Sequence, residues 1–240
     1  GSENDKIKYA MIKKSEIIYK LINSYINPNN TIKIADFGAG YGGTSRYLYN
    51  RFINDNIKPI IHDYDISFDN CNQNLLLNLE SDSNIAVYNF SFLNTYSKDS
   101  FYDIIISEDA FLHINYKSGI FNEINRILNT NGYLIFSDII QTSEDNLDNI
   151  EEVYKRIEIN RLETIDSYKK LANQNGLIYC NHIEYKDDML KHYQLIENIL
   201  KINENLEIND ESILKGVQNW IKHIENGNIT IVLFIFKRFN

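Results

Sequence analysis

The chain has 240 residues, 43% of them hydrophobic and 12% aromatic, which is enough apolar material for one α/β core. A net charge of −9 repels polyanions, so the expected partner is a dissolved small molecule and not nucleic acid. Cys71 and Cys180 form no CxxC and no zinc-type spacing with histidine, so neither a disulfide framework nor a structural metal site is indicated. No signal peptide or membrane-spanning apolar run is present, so the expectation is a cytoplasmic protein with no membrane partner.

Apolar residues at helical spacing, from Ile7, Ala10 and Met11 through Ile17, Ile18, Leu21 and Ile22, predict an amphipathic helix within residues 1–30, stopped by Asn27-Pro28-Asn29-Asn30. Thr31 to Phe37 reads as a strand, and Gly38-Ala39-Gly40-Tyr41-Gly42-Gly43 as a turn into a helix beginning near Thr44. The alternation then repeats: Lys58 to Tyr64 as strand, Cys71 to Glu80 as helix, Asn84 to Phe90 as strand. Tyr102 to Ser107, Gly132 to Ile139, Leu177 to Glu184 and Ile229 to Lys237 complete about seven strands, most of them separated by helical stretches. That order predicts a mainly parallel sheet with helices on both faces, built as a single domain over residues 1–240. Within 141–165, the stretch from Asn149 to Thr164 reads as a helical insertion capping the site.

The first chemical signal is the glycine-rich turn. Glycines after a buried strand let the backbone turn tightly and approach a ligand, while the following helix offers free N–H groups. Gly38, Gly40, Gly42 and Gly43 satisfy both GxGxG and the dinucleotide pattern GxGxxG, so spacing alone does not choose between cofactors. Asp36, two residues before the first glycine, tips the reading toward S-adenosylmethionine (SAM): a carboxylate suits the methionine ammonium, and a pyrophosphate would not want it there. A second acidic group is expected at the end of the next strand to accept the ribose hydroxyls. Asp65, beside Ile66, is the choice, with Asp63 the alternative on the same strand face and a plain helix N-cap the bland reading. Ser91 and Phe92 follow the third strand, where an adenine would be held, although Phe92 fits the core equally well.

The segment from Ala35 to Gly43, together with Ser107-Glu108-Asp109-Ala110-Phe111-Leu112-His113, resembles the SAM-dependent sarcosine/dimethylglycine N-methyltransferases and the related phosphoethanolamine methyltransferases. The similarity continues through Arg156-Ile157, Tyr168 to Ala172, Gly176-Leu177, Lys191-His192-Tyr193 and the final strand. It implies a Rossmann-like class I methyltransferase fold with an antiparallel last strand, SAM as cofactor and S-adenosylhomocysteine (SAH) as product. On matching positions it implies that Asp36, Gly38, Ala39, Gly40 and Gly42 hold the methionine end, Asp65 the ribose, Ser91 and Phe92 the adenine, and Ser107 the cofactor floor. Two features depart from the family: Glu108 stands where a glutamine is expected, and the family's longer N-terminal lid is unmatched, which leaves room for flanking domains of a longer chain. Oligomeric state has no signature in the sequence.

Methyl transfer is an in-line displacement whose thioether leaving group needs no acid, so positioning supplies much of the rate. An amine acceptor must first lose its proton, since an alkylammonium has a pKa of roughly 10. His113 is the candidate base, and Asp109 and Asp138 are candidates to hold the ammonium. A carboxylate on the acceptor would need a cation, for which Arg156 is the candidate; Arg161, five residues on, points elsewhere and fits a surface ion pair equally well. Glu108, His192 and Tyr193 complete the expected acceptor pocket. The favoured expectation is a small-molecule N-methyltransferase acting on glycine derivatives; the alternative is C- or O-methylation of a larger or carrier-tethered acceptor.

Overall fold

A computed structural model describes residues 3–26, 31–144, 150–202 and 210–239. Helix α1 (Glu3–Tyr25) is followed by β1 (Thr31–Phe37), α2 (Gly43–Asn54), β2 (Lys58–Tyr64), α3 (Phe68–Glu80) and β3 (Ile85–Tyr88). Then come β4 (Tyr102–Glu108), a 3-10 turn (Phe111–His113), α4 (Lys117–Ile127), β5 (Leu128–Gln141), α5 (Glu151–Arg156) and α6 (Ile165–Gln174). The remainder is β6 (Leu177–Glu184), α7 (Lys186–Ile202), α8 (Asp210–Glu225) and β7 (Ile229–Arg238). The expected bounds of β1, β2 and β6 coincide with the observed ones. The proposed stop at residues 27–30 and the start of the insertion at Asn149 lie outside the described residues. Of that insertion, only Glu151–Arg156 is helical. The chain from Ile157 to the capping box of Thr164 and Ser167, which opens α6, is turn and irregular structure.

The seven strands are ordered β3-β2-β1-β4-β5-β7-β6. β1 pairs in parallel with β2 and β4, and β4 with β5, whereas β7 runs antiparallel to both β5 and β6. Alternation along each strand feeds two cores. Ile32 and Ile34 of β1 join Ile18 and Ile22 of α1 and Leu48 and Phe52 of α2 on one face. Ala35 and Phe37 join Phe121 and Ile124 of α4 and Tyr168 of α6 on the other. Each such aliphatic or aromatic side chain, once fully buried, contributes roughly 1.5–3 kcal/mol. A third cluster, with Val153 of α5, Met189 of α7 and Trp220 and Ile224 of α8, covers the end of the sheet where β5 finishes and β7 begins. Among the described residues no helix is long and apolar enough to cross a membrane.

Because β2 lies to one side of β1 and β4 to the other, the direction of winding reverses between β1 and β4. In open α/β sheets the crevice outside the carboxyl ends of the strands at such a point is the place for a ligand. The strand order therefore carries the glycine turn, the residues after β2 and those after β4 to one shared edge.

Candidate active site

The turn after β1 is made of left-handed glycines: Gly38, Gly40 and Gly42 have φ of 76°, 54° and 70°. The Gly38 and Ala39 amides both donate to the Tyr64 carbonyl at the end of β2, at 2.8 and 3.2 Å, which pins the turn to the neighbouring strand. A Cβ on Gly42 would lie 2.1 Å from Asn74 Oδ1, whereas a Cβ on Gly40 would meet nothing within 4 Å. The Gly40 position therefore opens onto free space, as a backbone cradle for a ligand should.

Two aspartates lie side by side beneath this turn, since Asp36 of β1 is the register partner of Asp63 of β2. The Ser45 hydroxyl bridges them, at 3.1 Å from Asp36 and 2.6 Å from Asp63, and Asn74 donates to Asp63 at 2.7 Å. Burial, then the charges of Asp63 and Glu108, raise the Asp36 carboxyl well above its ordinary range. Asp63 is pushed up to about 6 by burial, with the Ser45 and Asn74 hydrogen bonds pulling the other way. A buried carboxylate destabilised in this way gains from a nearby cation, so Asp36 fits an ammonium.

Asp65 sits just beyond β2 and meets the glycine turn directly. Its Oδ2 accepts from the Gly40 amide at 3.0 Å and its Oδ1 from the Ser67 amide at 2.7 Å. Asp63 is instead committed to the Ser45 and Asn74 network. Ile66 is exposed beside Asp65, and Ser91 is exposed beyond β3. Phe92 departs from the expected adenine contact: its ring is buried and stacks on Phe37, with centroids 5.3 Å apart and planes at 14°, so it is core. Exposed apolar side chains in the segments after β2 and β3 include Ile66, Phe90 and Leu93.

At the end of β4, the buried Ser107 hydroxyl donates to the Phe37 carbonyl at 2.7 Å and clamps the two strands flanking the crevice. Glu108 and Asp109 follow, the latter left-handed with φ 55°. Lys14 of α1 reaches both, its Nζ 3.0 Å from each carboxylate. Burial would lower the Lys14 pKa, but Asp109 and Glu108 outweigh it and push it up to about 12. Thr44 of α2 donates to the other Glu108 oxygen, and Ser137 of β5 to the other Asp109 oxygen at 2.8 Å.

Asp138 is not where an acceptor-facing residue should be. Neighbouring strand residues point to opposite faces, so Asp138 turns away from the side on which Ser137 holds Asp109. It is fully buried, takes a hydrogen bond from the Tyr168 hydroxyl, and is pushed up to about 8 by burial, with Tyr168 opposing and Asp109 adding to the rise. His113 ends the 3-10 turn and is exposed. His192 of α7 lies within the electrostatic reach of Asp109 and Lys14; desolvation lowers its pKa, Asp109 raises it, and Lys14 lowers it further.

Tyr193 stacks on Trp220 of α8, centroids 5.0 Å apart, and is pushed up to about 12 by burial, opposed by Arg156 and reinforced by Asp109. Arg156 donates to the Ile213 carbonyl at 3.2 Å and lies over Gly216, where a Cβ would come within 1.8 Å of its guanidinium. Arg161 pairs with Glu144 on the surface. The structure thus brings His192 and Tyr193 within electrostatic reach of Asp109, which neighbours Glu108, whereas Arg156 is exposed and held against α8, within reach of Tyr193. Sequence reasoning missed Lys14, Ser45, Asn74 and Ser137, whose residue types carry no signal of their own.

The sheet order 3-2-1-4-5-7-6, with an antiparallel β7 between β5 and β6, is that of the Rossmann-like class I methyltransferase fold, and the glycine turn and Asp65 lie at its point of reversal. Known proteins agree: residues 35–136 match the family model described as a methyltransferase domain. The chain is 26% identical to a sarcosine/dimethylglycine N-methyltransferase of Aphanothece halophytica, over 81% of this chain and 72% of that protein. It superposes with a TM-score of 0.89, at 25% identity, on a Galdieria sulphuraria protein assigned as a sarcosine dimethylglycine methyltransferase, covering 96% of this chain and 87% of that one. A Haemonchus contortus phosphoethanolamine N-methyltransferase bound to SAM shares the fold, with a TM-score of 0.78 at 16% identity over 95% of this chain and 53% of that one. The protein is a SAM-dependent methyltransferase that resembles the sarcosine/dimethylglycine N-methyltransferases.

Proposed function

We propose that this enzyme methylates the nitrogen of a small amine of the glycine-derivative type. The observation that carries the reading is the pair of carboxylates at the end of β4: Glu108 and Asp109 together hold an ammonium, that of Lys14, beside the glycine turn. The activities of the 24–26% identical relatives point to the same acceptor class.

In this reading the whole chain is one methyltransferase domain, with residues 141–165, α7 and α8 as its cap. Asp36 and the turn from Gly38 to Gly42 hold the methionine end of SAM, Asp65 holds the ribose, and Ile66 and Leu93 give the adenine an apolar contact near Ser91. When bound, SAM supplies a sulfonium methyl open to in-line attack. The protein's own task is to hold and deprotonate the acceptor. Asp109 and Glu108 bind the acceptor as its ammonium, and His192, whose pKa desolvation lowers, is the candidate to take the proton before attack. His113, exposed and one turn from Asp109, is the second candidate base. Arg156, held over Gly216 on the cap, pairs with the acceptor carboxylate. Asp138 positions the 3-10 turn from behind.

The test is SAH release with glycine, sarcosine, dimethylglycine, phosphoethanolamine and an isoprenyl diphosphate, each against an acceptor-free blank. Turnover on a glycine derivative is the expected result. Turnover on the diphosphate alone, or on none of them, overturns the reading.

A further inference from the structure

Glu108 and Asp109 have four carboxylate oxygens, and the partners of those oxygens fall into two kinds. One oxygen of each is held by a hydroxyl on a fixed element: Thr44 in the first turn of α2 for Glu108, and Ser137 in the sheet, at 2.8 Å, for Asp109. The other oxygen of each faces Lys14 Nζ at 3.0 Å. Lys14 hangs on a flexible four-carbon stem whose side chain is 34% exposed, while α1 itself is anchored further along by Ile18 and Ile22. Its ammonium can therefore swing to solvent without moving the helix, which the two hydroxyls cannot do.

An ammonium acceptor entering this corner needs the same two oxygens, with the same charge and the same kind of N–H donor. We propose that Lys14 is an internal competitor for the acceptor's ammonium, setting the affinity of the site for cationic amines by occupying their position until one displaces it. The proposal rests on the amine reading of this site.

Competition by a tethered group has a signature that a merely structural ion pair lacks. The apparent dissociation constant of every ammonium ligand is the intrinsic one divided by the fraction of molecules with the corner open. Removing Lys14 must then tighten the amine acceptor and its methylated product by the same factor. In wild type the returning lysine assists product release.

The experiment measures binding of dimethylammonium and of tetramethylammonium to the SAH-loaded protein by calorimetry, in wild type, Lys14→Gln and Lys20→Gln. Lys20 sits on the same helix, so its variant controls for the loss of a positive charge. Lys14→Gln should bind both cations about tenfold more tightly and by a common factor, with Lys20→Gln unchanged. In wild type, nitrogen-15 NMR of the Lys14 ammonium should show its protons passing from protected to fast exchange as dimethylammonium saturates the site. Equal or weaker binding in Lys14→Gln, no binding in any of the three proteins, or a Lys14 ammonium that stays protected beside the bound cation overturns the proposal. The turnover panel decides the acceptor class separately. An enzyme that methylates a glycine derivative but fails this comparison keeps its acceptor and loses the competitor, whereas one silent on amines that binds dimethylammonium more tightly as Lys14→Gln loses the acceptor class and keeps only a cation-binding corner that Lys14 occupies.

Discussion

The cofactor side and the acceptor side of the crevice are assembled in different ways. The part of the proposed cofactor side that meets the methionine end and the ribose is drawn from two short windows of sequence, residues 36–45 and 63–74, and is held by backbone: three left-handed glycines, two amides on the Tyr64 carbonyl and one on Asp65. The acceptor side, as proposed above, is drawn from α1, β4, β5, α5, α7 and α8, and is held by side chains, with Lys14 on Glu108 and Asp109, Ser137 on Asp109 and Arg156 over Gly216. A site made of local backbone changes little when surface residues drift. One made of side chains from six elements is easily retuned, which suits a fold that keeps its cofactor and varies its acceptor.

The hardest way to break the first side is Gly42→Ala. The new Cβ would sit 2.1 Å from Asn74 Oδ1 at a residue with φ of 70°, and the expected loss is about 3 kcal/mol or more in urea unfolding. Gly40→Ala tests the same turn without the clash. It should cost only about 1–2 kcal/mol of stability for its left-handed backbone, yet weaken SAH binding by calorimetry far more than that figure implies, because its Cβ projects into the ligand's space.

Asp138 gives the next largest effect, through pH. Its folded pKa of about 8 lies above the unfolded value, so the native state holds a proton that the unfolded chain gives up, and stability falls as pH rises from about 4 to 8. Asp36 and Asp63 contribute in the same direction. Asp138→Asn should remove its own share, so that urea unfolding at pH 5 and pH 8 shows the variant gaining on wild type by on the order of 2–4 kcal/mol across that range. An unchanged difference would mean that Asp138 is ionised in the fold.

Arg156→Ala sharpens the contrast between the two sides. It should raise KM for a carboxylate-bearing acceptor roughly tenfold to fiftyfold while leaving SAH affinity alone, read by steady-state kinetics and calorimetry. The smallest effect belongs to Arg161→Ala, whose exposed pairing with Glu144 is worth less than about 1 kcal/mol, with no change in KM.

The same contrast explains what was legible in the sequence. The β1 and β2 strands, the glycine turn and the placement of Asp36 and Asp65 at the strand ends are legible because each is a local pattern: an apolar run, a left-handed backbone need, a charge at a strand end. The burial of Asp138 against Tyr168 is not legible in the sequence, because β5 is a central strand buried on both faces and alternation does not announce which face each polar residue takes. Phe92 was ambiguous for the same reason, and the stack with Phe37 decided it. Lys14 looked like any lysine on an amphipathic helix; only the return of α1 across the sheet edge brings it to Glu108 and Asp109. Gly216 lacked a signal altogether, since its purpose is to leave room for Arg156, a side chain from a different helix far earlier in the chain.

The position of β7 has a consequence for how the enzyme is made. It is the last strand in sequence, yet it lies between β5 and β6, both of which leave the ribosome before it. Until residues 229–238 are available, β5 lacks a neighbour along its Tyr133 to Gln141 edge and β6 has nothing to pair with. The cofactor half, complete by β4, is free to form early during synthesis, while the edge that carries Ser137 and supports the cap stays open until translation passes β7. Until it is filled, that edge presents a row of unpaired backbone groups able to template pairing with another strand.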